Sequence, residues 1–199
     1  MPQGPPPSTP SVAFADESFR EDPTAGCYVI AATVLAQEAQ EPAREVMRCL
    51  LGSRRTDKLH WHEMDRLQQK DAAHRVAGIA GLHVVALGTP VPRRRQERAR
   101  AACLTALVNT LHELGVRHLL LEARTTELNR RDITTVQGAR FALPQGSVFR
   151  VDHVPGSAEP LLWVADIVAG AVRASHQSGT GQRELLGKHV HLLEIPTGC

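Results

Sequence analysis

Short apolar runs alternate along the chain with segments of helical periodicity, and together they predict an α/β domain with a mixed sheet of about five strands flanked by helices. Residues 11–15 are a brief apolar run that meets the polar triplet Asp16-Glu17-Ser18, as a buried strand does where it ends in a turn. Residues 27–35 form a longer run. The turn-rich Asp22-Pro23-Thr24-Ala25-Gly26 between the two suits an antiparallel hairpin. Val46, Met47, Leu50 and Leu51 recur on one helical face of 42–51, with Pro42 at its start and Gly52 after its end. A second helix is predicted over 65–81 and a strand over 83–87, closed by Gly88-Thr89-Pro90. Residues 94–114 carry the clearest stripe, from Cys103 to Leu114, and Gly115 stops it. The unalternating Leu119-Leu120-Leu121 within 116–122 predicts a strand covered on both faces, hence parallel neighbours. Residues 148–151 give a fifth strand and 160–175 a final helix, while the later tail carries no clear pattern.

A chain of 199 residues, 42% hydrophobic and 22% charged, has room for one ordinary domain, placed at 12–199. Residues 1–11 are Pro-, Gly-, Ser- and Thr-rich and read as a flexible arm. No run of roughly 18 apolar residues could span a bilayer, and the start lacks the apolar core of a signal peptide, so a cytoplasmic location is expected. Cys27, Cys49, Cys103 and Cys199 form no C-x-x-C pair and are expected to be reduced thiols. The net charge of +2 is too small to name a partner, so any polyanion-binding surface must be local.

The acidic residues change the picture. Asp16 and Glu17 sit at the predicted end of the first strand, Glu122 at the end of the central strand, and Asp166 inside the apolar helix segment Trp163–Ala169. An unpaired carboxylate buried in such a helix is costly and calls for a cation. An RNase H-like fold brings the first and central strands side by side and lays the last helix across their ends. That would gather these hard oxygen donors around Mg²⁺ or Mn²⁺, able to activate water against a phosphodiester. Strand alternation sends Asp16 and Glu17 to opposite faces unless the strand is already turning, so Asp16 ranks first. Glu122 could instead pair with Arg124, and Asp152 could then be the third ligand.

Two segments carry a family resemblance. Ala13-Phe14-Ala15-Asp16-Glu17-Ser18 and the helical Leu162-Trp163-Val164-Ala165-Asp166-Ile167-Val168-Ala169-Gly170-Ala171 resemble the paired signatures of domain-of-unknown-function family 3800. The resemblance spans residues 12 to about 175. Phe19 stands where a Gly is usual, and Trp163-Val164 where a Gln is usual before the Ala-Asp pair. It implies an RNase H-like fold and functional roles for Asp16, Glu17 and Asp166.

The remaining candidates would contact substrate. Lys58 could meet a phosphate, and His60 and His62, alternating on one strand face, could bind a metal or donate a proton. Their bland alternative is a polar strand edge around one packed Trp61. Arg93, Arg94 and Arg95, followed by Arg98 and Arg100, crowd the start of a helix, where the macrodipole disfavours cations. Nucleic-acid phosphates would relieve that mismatch; the alternative is a solvated face paired with Glu97. No phosphate-cradling loop or nucleophile elbow occurs. The composite reading is a metal-dependent nuclease with Asp16, Glu122 and Asp166 on the metal. Its rivals are a non-catalytic nucleic-acid-binding module of the same fold and a subunit that docks a partner protein, with assembly as a homo-oligomer or with a partner protein left open.

Overall fold

The computed structural model describes residues 12–22, 26–53, 56–179 and 181–199. The predicted arm at 1–11 lies outside them. Strand β1 (Val12–Arg20) pairs antiparallel with β2 (Cys27–Leu35), which pairs antiparallel with β3 (Leu82–Thr89). On the other side of β1 lie β4 (His118–Glu122) and β5 (Arg150–Val154), both parallel to it. A sixth strand, β6 (Val190–Pro196), adds in parallel to β3, giving the order β5-β4-β1-β2-β3-β6. The sheet is therefore mixed, as expected, and has one more strand than expected.

Helices cover both faces. On one face, α1 (Gln37–Leu51), α2 (Arg66–Ala77) and α5 (Pro160–Ser178) pack over Phe14, Val29, Ala31 and Val85. On the other, α3 (Gln96–Glu113) and α4 (Thr126–Arg140) cover Ala13, Ala15, Tyr28, Ile30, Leu119 and Leu121. Parallel connections need a crossover, and α3 and α4 supply those leading into β4 and β5. The buried Leu119 and Leu121 face α3 while half-buried Leu120 packs on the α5 side, so the central strand is covered on both faces as its composition requires.

Three boundaries differ from expectation in ways that matter to the site. The first strand continues through Asp16-Glu17-Ser18 to Arg20, because this polar stretch is zipped to Ala31, Ile30 and Val29 of β2. Residues 60–63 are not a strand: His60 is extended and Trp61–Glu63 form a single 3₁₀ turn, ahead of α2 with its Asp65 capping box. Helix α4 occupies a stretch with no apolar stripe to announce it.

Candidate active site

Because residues of one parity share a strand face, Phe14, Asp16, Ser18 and Arg20 of β1 look toward α5, and Glu17 looks toward α3. Glu122 ends β4 one step beyond the pair Ala15 and Leu121, on the same face as Leu120 and therefore beside Asp16. Asp166 comes from the overlying α5, a continuous apolar helix that begins at Pro160 behind the cap Glu159. Asp16, Glu122 and Asp166, distant in sequence, thus meet on one side of the sheet.

Their electrostatics report the crowding. Burial raises the Asp16 carboxyl well above the ordinary carboxylate range, and the negative charges of Asp166 and Glu122 push it further; Glu122 also lies within hydrogen-bond reach. Burial lifts Asp166 to about 6, against a bond from the Trp61 backbone N–H to its Oδ2 at 2.7 Å. The Lys58 ammonium supplies the balancing charge by pairing with Glu122 Oε1. Gly156 lies against the carboxylate: a Cβ there would fall 2.7 Å from Glu122 Oε1, so a larger residue would have to displace the Glu122 side-chain end.

Trp61 connects the turn to the helix. Its ring lies against Gly170, where an added Cβ would come within 2.2 Å of the indole Cγ. The Gly170→Ala variant is therefore expected to lose about 1–3 kcal/mol in a denaturant melt through overpacking. It should also loosen the Trp61–Asp166 bond; a melt unchanged from wild type would show that the indole gives way freely.

Donor chemistry at this cluster suits a hard divalent cation: three carboxylates, of which Asp16 and Asp166 are held above their usual range by burial first and then by neighbouring acids, Asp166 and Glu122 acting on Asp16 and Glu122 on Asp166. The present arrangement is not a closed coordination set. Among the described residues, no three His, Cys, Asp or Glu side chains converge in metal-holding geometry, and Lys58 takes an oxygen of Glu122.

Several expected site residues lie elsewhere. Glu17 is not in the cluster: the strand does not turn at this point, so its carboxylate crosses to the α3 face and pairs with Arg100, with Arg124 at 4.0 Å. Asp152 is not a third ligand, since it pairs with His118 at 2.8 Å and Arg150 at 2.9 Å toward the far end of β4 and β5. The Glu122–Arg124 pair is also not formed; Arg124 binds Glu97 and Asp132. His60 and His62 flank the buried Trp61, their rings 5.2 Å apart, with His62 mostly exposed at the cleft beside Asp166. Arg93, Arg94 and Arg95 are exposed ahead of α3, beside the hairpin, where the Arg94 N–H donates to Glu21. Arg100, by contrast, is buried and unavailable to a phosphate.

The residues missed by sequence reasoning are those of that buried network. Asp132, 2% exposed, accepts from Arg100 Nε at 2.7 Å and Nη2 at 2.8 Å, from Arg124 at 3.0 Å, and contacts His153 at 3.1 Å. Burial alone would raise its carboxyl, but hydrogen bonds from Arg100 and His153 and the two arginine charges hold it far below the usual range. Tyr28 Oη joins from β2 at 3.1 Å. This network backs the β1 residue adjacent to Asp16.

A six-stranded mixed sheet in this order, covered by helices on both faces, is an RNase H-like α/β fold. Among solved structures it is similar to a chain of the PCNA:RNase HII complex from Archaeoglobus fulgidus. That match has a TM-score of 0.54 and 13% identity and covers 90% of this chain and 80% of the other. Scans against family models and against the curated proteins find no match. Among the described residues no helix is long and apolar enough to cross a membrane.

Proposed function

We propose that the chain is a divalent-metal-dependent nuclease that hydrolyses nucleic-acid phosphodiester bonds at Asp16, Glu122 and Asp166. The observation that carries this reading is the convergence of three carboxylates from β1, β4 and α5 on one face, with burial and neighbouring acids raising two of them. Asp16, Glu122 and Asp166 would hold Mg²⁺ or Mn²⁺, which when bound supplies a Lewis acid and lowers the pKa of a water nucleophile. The chain's own contribution is position: the sheet fixes Asp16 and Glu122, the Trp61 N–H orients Asp166, and Gly156 lies against the Glu122 carboxylate. His62 stands at the mouth of the cleft, and Arg93, Arg94 and Arg95 offer an exposed basic patch beside the hairpin. The resemblance to domain-of-unknown-function family 3800 belongs to the same reading.

A second reading, a nucleic-acid-binding module without turnover, draws support from the Lys58–Glu122 ion pair, which already places a cation among the acids. The two readings differ in what Lys58 does. As a competitor for a metal's place, it weakens metal binding, so Lys58→Met should bind Mn²⁺ severalfold more tightly than wild type by isothermal titration. Unchanged or absent Mn²⁺ binding in the variant would favour the binding module.

The functional test is incubation of the chain with labelled single-stranded DNA, duplex DNA, RNA and RNA–DNA hybrid in Mg²⁺ or Mn²⁺. Chelator-sensitive cutting of at least one substrate is expected. Failure to cut any of them would overturn the nuclease reading.

A further inference from the structure

Beyond Asp16, the same face of β1 carries Ser18 and then Arg20, and α5 lies over it with Asp166 followed by Arg173 and Gln177. Arg173 Nε donates to Ser18 Oγ at 2.7 Å and its Nη1 to Gln177 Oε1 at 3.1 Å. Both acceptors are neutral, so they fix the orientation of the guanidinium without cancelling its charge. Two clefts follow this seam. One, of about 220 Å³, is lined by Ser18, Trp61, His62, Asp166 and Arg173 among others; the next, of about 270 Å³, by Arg20, Asp22, His176 and Gln177.

Charge along the seam changes sign. The carboxylate cluster stands at one end, and Glu17 also borders the first cleft; Arg173, Arg20 and His176 stand at the other, with Asp22 the acid of the second cleft. A helical rise of 1.5 Å per residue puts Arg173 about 10 Å along the α5 axis from Asp166. The strand rise puts Arg20 about 13 Å from Asp16. The Arg173 guanidinium reaches back to Ser18, only one same-face step or roughly 6–7 Å beyond Asp16, so it suits the phosphate next to one held by the acids, and Arg20 suits one further along the strand. A guanidinium fork held by neutral partners matches phosphate oxygens well. Aromatic residues make up only 4% of the chain, which leaves phosphate contact as the main available source of affinity.

We propose that the groove between the second half of β1 and the C-terminal half of α5 holds the sugar-phosphate backbone on one side of the reacting phosphodiester, with Arg173 and Arg20 as its phosphate contacts. The identity of the ligand rests on the nuclease reading; the groove itself rests on the seam. It differs from the Arg93–Arg95 patch, which lies ahead of α3, the helix of the opposite face.

The test is fluorescence anisotropy of labelled oligonucleotides with the full chain in chelator, over a series of salt concentrations, with cleavage in metal measured in parallel. Arg173→Gln and Arg20→Gln should each weaken binding severalfold and lower the log–log salt slope by about one. Arg173→Lys should restore most of that slope, and Arg131→Gln on the exposed surface of α4 should change nothing. Arg20 is exposed, so its variant keeps the test sound even if Arg173→Gln folds poorly. Wild-type binding and slope in a folded Arg20→Gln or Arg173→Gln chain would overturn the groove, as would an absence of oligonucleotide binding. Arginine-dependent binding without any cutting would sustain the groove and defeat the nuclease reading; cutting with arginine-independent binding would do the reverse.

Discussion

Asp166→Asn is expected to slow metal-dependent cleavage by about 10²–10³-fold while leaving the fold intact, a loss of the size seen when one preorganised charge-stabilising group is removed. The asparagine carbonyl can still accept the Trp61 N–H, so the turn carrying Lys58, His60 and His62 keeps its anchor. Removing one of three crowded acids also relieves repulsion on Asp16. The thermal midpoint should therefore hold or rise even as single-turnover cleavage collapses. A structural role alone would give a different pattern: cleavage retained and the midpoint lowered. Measuring both on one preparation separates the two.

Asp132→Ala is expected to cost about 3–5 kcal/mol, because it strips the Arg100 guanidinium of its bidentate partner at a site 2% exposed and leaves Glu17, among the described residues, as the one acid in contact with that buried charge. The loss is readable as a shift of the urea midpoint at neutral pH. The acid dependence has a definite sign. A carboxyl whose folded-state pKa is depressed contributes stability that is complete above its unfolded value of about 4 and is lost as pH falls toward the folded value. Wild type should therefore lose stability below pH about 4, and Asp132→Ala should show a shallower acid limb. A neutral-pH loss under about 1 kcal/mol would mean that water or Glu17 takes over the arginine.

The α/β order, the hairpin of β1 and β2, the parallel setting of β4 and the length of α5 could be read from hydrophobic periodicity. Each buries a continuous apolar face that leaves a mark in the sequence. Asp16, Glu122 and Asp166 were legible for the same reason, as charges at the margins of apolar runs. Helix α4 was not, because it buries only Asp132, Val136 and Ala139, too few apolar positions to leave a stripe, and is anchored by the ion pair of Asp132 with Arg100, a residue far away in sequence. Strand β6 was hidden at a sheet edge, where its residues are only partly buried and leave weak alternation. The polar Asp16-Glu17-Ser18 reads as a turn, which would bring Glu17 into the site. Pairing with β2 keeps the stretch extended, and alternation then decides the face. Asp152 was misplaced because a one-dimensional reading cannot show that His118 and Arg150 stand closer to it than the other acids do.

The central claim, that Asp16, Glu122 and Asp166 constitute one metal site, is tested most directly by Mn²⁺ titration calorimetry of wild type, Asp16→Asn, Glu122→Gln and Asp166→Asn. Wild type is expected to bind Mn²⁺, and each substitution to remove the same binding event. Retention of the wild-type isotherm by any one of the three variants, in a chain shown to be folded, would contradict that claim.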